Sequence, residues 1–201
     1  MTEGQEINRS QLLASQPGEW TFETLAQADR KALEHVLLTG AAPDFAKTEG
    51  HIYCGWNHEW LSVLPGRKFK KGFRKKDGQY FGYNHMVQQD DDGYEGEWGL
   101  KLTDGRPKFR GFFRVGLIKD EPPQRLHERY RHTGLFNYSV GINTGLNVPF
   151  RVLRDFVVLP NPGDHELMLG KAYFQVAFPW LKLFCCYFLL GHRQTIAFEP
   201  W

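Results

Sequence analysis

Two ionisable residues stand where the surrounding pattern is apolar. Asp155 alternates with Leu153, Val157 and Leu159, and Lys171 alternates with Leu167, Leu169 and Tyr173. A period of two belongs to a β-strand, so each charge shares an apolar strand face. The linker Pro160-Asn161-Pro162-Gly163-Asp164 reads as a tight turn, and counting outward from Gly163 sets Asp155 opposite Lys171 across a hairpin, within reach of it. In a structural role such a pair fixes register. Lining a cavity, it is tuned by burial and mutual attraction into an acid, a base or a ligand anchor.

His85 shares a face with Phe81, Tyr83 and Val87, beside Asn84. It is either a hydrogen-bonded core histidine or a proton carrier, since histidine alone titrates near neutrality unperturbed. Asp155, Lys171 and His85 are therefore the candidate catalytic groups. Tyr83, Tyr138 and Tyr173, pointing inward, offer apolar walls with polar tips that suit an amphiphilic or conjugated ligand. Asn84, Trp56 and Trp98 complete the candidate ligand-binding set.

Other constellations carry less. His51, Cys54 and His58 suggest a metal, but residues 51 and 54 of a strand point to opposite faces, and no metal is expected. Cys185 and Cys186 lie in an apolar run and read as inert thiols. Asp90 to Glu95 lacks the ligand spacing of a calcium loop and reads as a solvated hairpin tip. Lys68 to Lys76 and Lys108 to Arg114 interleave bases with aromatics, faintly like one signature strand of RNA-recognition domains, without the second signature or the βαββαβ order. They read as solvated strand faces, or as a surface for an anionic ligand, a membrane or a partner. There is no nucleophile elbow, phosphate loop or nucleotide fingerprint, and no cofactor is expected.

The elements that must position these residues are mostly strands. Leu25, Ala28, Ala32 or Leu33, and Val36 recur at helical spacing and Gly40 and Pro43 follow, which predicts one amphipathic helix near 21–38 after a loose lead-in over 1–20. Beyond Gly50, runs rich in Phe, Tyr, Val and Leu alternate with turn residues about every ten positions. Strands are expected near 50–57, 67–75, 79–88, 97–103, 108–118, 133–140, 151–159, 166–177, 181–190 and 193–199. Trp98, Leu100 and Leu102 form one face, and Lys76-Asp77-Gly78-Gln79 and Asp92-Gly93 supply hairpin turns. The expected fold is one mainly β domain over 21–201, an antiparallel up-and-down barrel of roughly eight to ten strands, wide enough for one small ligand.

Bulk properties agree with that. The chain has 201 residues, with 16 Phe, 8 Tyr and 6 Trp, enough for one large aromatic core. A net charge of +2 supplies no global pull toward nucleic acid. Three cysteines make no disulfide framework, and the polar Met1 to Ser10 lacks the apolar region of a signal peptide, so a cytoplasmic location is expected. Val176 to Leu190 is broken by Pro179 and Lys182 and falls short of the roughly 20 residues a spanning helix needs; a buried strand pair is expected there.

The stretches Gly50 to Asn57, Arg67 to Phe73, Gly82-Tyr83-Asn84, Leu153 to Phe156 and Leu169 to Tyr173 resemble a group of uncharacterised bacterial proteins across much of 33–190. No activity is implied by that resemblance. More loosely, a Gly-x-x-x-x-Gly-Trp first strand after a helix is similar to the opening of lipocalin-like (calycin) barrels, although the lipocalin Gly-x-Trp spacing is not met. That likeness implies binding of a lipophilic small molecule. The functional expectation is thus a hydrophobic or amphiphilic small molecule held in an aromatic-lined barrel, with no nucleic-acid partner. One alternative is an acid/base enzyme, an isomerase, cyclase or lyase, acting on such a ligand. The other is an interaction module using the basic strands near 67–76.

Overall fold

The computed structural model describes residues 20–59, 66–90, 92–122, 125–175 and 182–197. Apart from Trp20, the lead-in over 1–20 lies outside the described residues. The helix expected near 21–38 is two helices, α1 (Phe22–Gln27) and α2 (Arg30–Thr39). Extended Ala28 separates them, because Asp29 accepts from the Ala32 amide and starts a new helix; Thr21 and Thr24 form a capping box on the first. Their buried face is Phe22, Leu25, Ala32, Leu33, Val36 and Leu37. A third helix, α3 (Arg125–Arg129), is too short to show periodicity.

Strands β1 (His51–Asn57), β2 (Lys68–Lys76), β3 (Gln79–Met86), β6 (Phe109–Leu117), β7 (Gly134–Asn137), β8 (Leu153–Val158), β9 (Met168–Gln175) and β10 (Lys182–Thr195) form a closed barrel. Their order around it is β1-β10-β9-β8-β7-β6-β3-β2, and every pairing is antiparallel. This is the expected up-and-down barrel, closed with eight strands, and closure removes every exposed edge. Between β3 and β6, β4 (Leu102–Thr103) and β5 (Arg106–Pro107) form a separate small hairpin. Asp77 and Gly78 turn β2 into β3 with φ of 49° and 78°, the left-handed pair a two-residue hairpin requires.

One expected strand dissolves and two merge. The segment 97–103 contributes only β4 and a bridge from Leu100 to Val87, and Leu102 is 55% exposed, so its alternation does not mark a core face. The strands expected at 181–190 and 193–199 are one long β10, which absorbs a register shift near Cys186 and a positive φ at His192.

The core has two layers. Inside the barrel pack Phe45, Tyr53, Phe73, Phe113, Phe136, Val157, Met168 and Leu190. Outside it, α1 and α2 cover Trp56, Phe156, Leu169, Tyr173 and Leu189. Strands β8 and β9 are buried on both faces, which is why apolar neighbours flank both Asp155 and Lys171 without putting them on one side. The register pairs Asp155 with Ala172 and Lys171 with Phe156. The expected facing of Asp155 and Lys171 is therefore wrong by one residue, and one residue reverses the face. The cause is the connection: Val158 pairs with Leu169, so the hairpin's centre falls between Gly163 and Asp164, half a residue beyond Gly163, which moves the register by one residue.

Candidate functional site

Inside the barrel, Asp155 meets a different lysine. Lys71 on β2 lies between Phe69 and Phe73 in the same alternation, and its Nζ is 3.6 Å from Asp155 Oδ2, with both side chains about 95% buried. The ammonium donates to Asn84 Oδ1 at 2.7 Å and to the Tyr138 hydroxyl at 2.5 Å. Tyr138 in turn donates to Asp155 Oδ2 at 3.1 Å, so one hydroxyl links the amine to the carboxylate. Rings of Phe113, Phe69, Tyr138, Phe188 and Phe136 surround Nζ, with centroids 5.0 to 5.7 Å away. Such faces attract a cation most strongly when water is excluded.

The local fold holds these groups still. Asn84 donates to the carbonyls of Gly111 and Arg110, at the point where β6 bends through Gly111 at φ +53°. A Cβ there would sit 2.6 Å from the Phe150 ring and 3.0 Å from the Asn84 amide, so the close approach requires glycine. Asn143 clamps both the Phe112 backbone and the Tyr138 carbonyl. Phe150, on the 3-10 helix Gly145–Val152, stacks on Tyr138.

A cavity of about 40 Å³ adjoins this cluster, lined by Lys71, Asn84, Tyr138, Asp155, Phe69 and Phe150 among others. That is room for a few waters or the end of a ligand. Asp155 Oδ1 is buried and has no hydrogen-bond partner among the described residues. A carboxylate oxygen in that state is costly unless something donates to it.

Electrostatics follow from burial. Desolvation pushes the Asp155 carboxyl up, against the pull of Lys71 and the Tyr138 bond. It pulls Lys71 down to about 8, against the pull of Asp155. The Tyr138 hydroxyl rises well above its usual range through burial and the neighbouring Asp155 charge.

Lys171 belongs to another site, on the outer face of the barrel. Its Nζ is 2.6 Å from Glu34 Oε2 on α2 and donates to the Tyr130 hydroxyl at 3.0 Å. Tyr187 donates to Oε2 at 2.6 Å, while Arg129 and Tyr130 donate to Oε1 at 2.7 Å. Tyr173 packs on this side too, its ring 5.3 Å from Lys171 Nζ.

Of the residues singled out in the sequence, the structure thus joins Asp155, Tyr138 and Asn84. Trp56, Tyr173 and Lys171 lie in the outer layer. Trp98 donates to the Gly55 carbonyl and packs against that layer. Tyr83 and His85 take the opposite face of β3 from Asn84, with the His85 ring 4.5 Å from Phe109 and 5.2 Å from Tyr83. His85 borders the cavity, but burial, helped by Lys70, lowers its imidazole to about 4 and keeps it neutral at pH 7.

The basic run 68–76 is not a wholly solvated face: Lys68 and Lys71 are buried, and Lys68 is bound by Asp90 at 2.5 Å. Among the described residues no cluster of His, Cys, Asp and Glu is placed to hold a metal. Among them, too, no helix is long and apolar enough to cross a membrane. Lys71 is the residue the sequence reading missed, although its place between Phe69 and Phe73 is the same signal that marked Asp155. The chain matches no family model and no curated protein.

Proposed function

We propose that the barrel binds a small amphiphile whose neutral, hydrogen-donating end enters the cavity beside Lys71 and Asp155. The observation that carries this reading is the unpartnered, buried Asp155 Oδ1 at a cavity wall. A hydroxyl placed there donates to Oδ1 and relieves its desolvation. The apolar remainder lies against Phe69, Phe150, Leu153 and Phe188, which line the same space. The void admits only the head and its first atoms, so a longer chain extends toward the mouth or displaces a ring.

A charged head fits less well. A carboxylate meets Asp155, and an alkylammonium meets Lys71. Calorimetric titration with decan-1-ol, decanoate and decylamine tests this order. Decanol should bind most tightly, and Asp155→Asn should weaken it about tenfold, the loss of one charge-assisted hydrogen bond. Equal binding by the variant, or no decanol binding at all, contradicts the reading. The enzyme alternative draws on one specific feature, the Tyr138 hydroxyl bridging an amine and a carboxylate. That geometry moves a proton between nitrogen and oxygen without solvent.

A further inference from the structure

We propose that Lys71 is an amine nucleophile, forming a reversible imine with a ligand that carries an aldehyde or ketone carbonyl at its polar end. The inference rests on the binding reading above for the cavity and its neutral head; a carbonyl brings no donor of its own, and supplies one to Asp155 Oδ1 only as the hydroxyl of the carbinolamine formed from it. Three features of the geometry lead to it.

The first is position. Lys71 Nζ is buried, lines the cavity, and is held by neutral acceptors, Asn84 Oδ1 and the Tyr138 hydroxyl, instead of a close carboxylate contact. Asp155 stands off at 3.6 Å. A desolvated lysine in an aromatic pocket is the usual form of a nucleophilic amine. With its ammonium lowered to about 8, roughly one molecule in ten carries the free amine at pH 7, against about one in 2,500 for an ordinary lysine.

The second is the proton path. When the nitrogen lone pair attacks the carbonyl carbon, the C=O π pair moves to oxygen, and the nitrogen's surplus proton passes to that oxygen. Tyr138, accepting from Nζ and donating to Asp155, is the relay for this transfer. The resulting carbinolamine has a hydroxyl, and Asp155 Oδ1 is an acceptor with no other partner among the described residues. That hydroxyl then leaves with a proton as water while the nitrogen lone pair closes the C=N bond. From the ammonium and the carbonyl compound, the products are one protonated imine and one water. Nothing is oxidised or reduced.

The third is charge. The protonated imine is a monocation at the position of the ammonium it replaces. The five rings around Nζ and the Asp155 carboxylate, which stabilise a cation there before reaction, stabilise one after it. Lys171 has rings around it as well, but its partner Glu34 has every acceptor direction occupied and no spare group to take a carbinolamine hydroxyl. It is therefore the control within the same molecule.

The experiment treats the full chain with butanal and cyanoborohydride at pH 7, which reduces any imine to a stable butylamine, and maps the modified lysines by peptide mass spectrometry. Lys71 should be butylated at least about tenfold faster than Lys171, with Asp155→Asn slowing Lys71 alone. Modification of Lys71 no faster than Lys171 in the wild-type protein overturns the imine, and needs no variant to fold. In that event, decanol binding that depends on Asp155 leaves the binding reading standing, so the two failures are distinguishable.

Discussion

The barrel wall carries two lysine–carboxylate sites on opposite faces, a buried one inside and a half-buried one outside, built from similar parts to different ends. On the outside, Glu34 receives four donors from Lys171, Tyr187, Tyr130 and Arg129, and no acceptor position is left. On the inside, Asp155 has one bonded oxygen and one that has no partner among the described residues, beside a void. The direction in which each carboxyl is shifted follows the same contrast. Burial opposes ionisation of both carboxyls, but the bonds from Lys171, Tyr187 and Tyr130 outweigh it and hold Glu34 below its usual value. The fewer contacts of Asp155 do not, and its carboxyl stays raised. A saturated site ties α2 and the Arg129–Tyr130 segment to the barrel. An unsaturated one leaves bonding capacity for a ligand.

The largest effects should come from breaking the saturated site. Glu34→Gln leaves Lys171 and Arg129 facing a neutral amide and should cost about 3–5 kcal/mol in urea unfolding. Replacing the inner pair together, Lys71→Met with Asp155→Leu, removes two desolvated charges and should be neutral or stabilising by about 1–4 kcal/mol, while decanol binding is lost. If the inner double variant is as unstable as Glu34→Gln, the inner pair is structural and the contrast fails.

The two rings that flank Tyr138 should also separate. Phe113 packs among Phe73, Phe136 and Tyr138, so Phe113→Ala should cost about 3–5 kcal/mol. Phe150 is half-buried and already faces the void, so Phe150→Ala should cost about 1–2 kcal/mol and admit bulkier alcohols. Equal losses at both positions would mean that the cavity is as tightly packed as the rest.

Smaller effects appear in the pH dependence of stability. Glu34 is lowered on folding, so its contribution is present above the unfolded carboxyl's titration and is lost as pH falls through the folded one. Asp155 is raised, so its contribution is present at low pH and is lost as pH rises through its folded titration. Subtracting the Glu34→Gln and Asp155→Asn stability curves from wild type should give slopes of opposite sign. Lys71 adds an alkaline signature. Between about 8 and the usual lysine range the unfolded chain binds more protons, so stability should rise with pH there, and Lys71→Met should abolish the rise.

Much of this was legible in the sequence, and the gaps have physical causes. Alternation and turn residues marked the barrel, because a period of two and an Asp-Gly hairpin are local properties. Asp155 stood out because a carboxylate among valines and leucines needs a partner. The partner was misassigned because parity alone does not say which of two buried faces a residue takes, and the hairpin's centre falls between Gly163 and Asp164 instead of on Gly163. Lys71 was hidden among the bases of 68–76, which drew attention to charge and away from its alternation with Phe69 and Phe73. Glu34 left no signal, since a glutamate on an amphipathic helix looks solvated until the barrel is placed beneath it.

Among the described residues the inner carboxylate has an oxygen open to a donor, and the outer one is filled. Carboxyl-carbon NMR titration of Asp155 and Glu34 in one sample, without and with saturating decan-1-ol, measures this directly. Asp155 should titrate above the ordinary carboxylate range and move down when decanol binds, while Glu34 should titrate below that range and not move. An Asp155 titration that is ordinary and unmoved, or a Glu34 titration that shifts with the ligand, would contradict it.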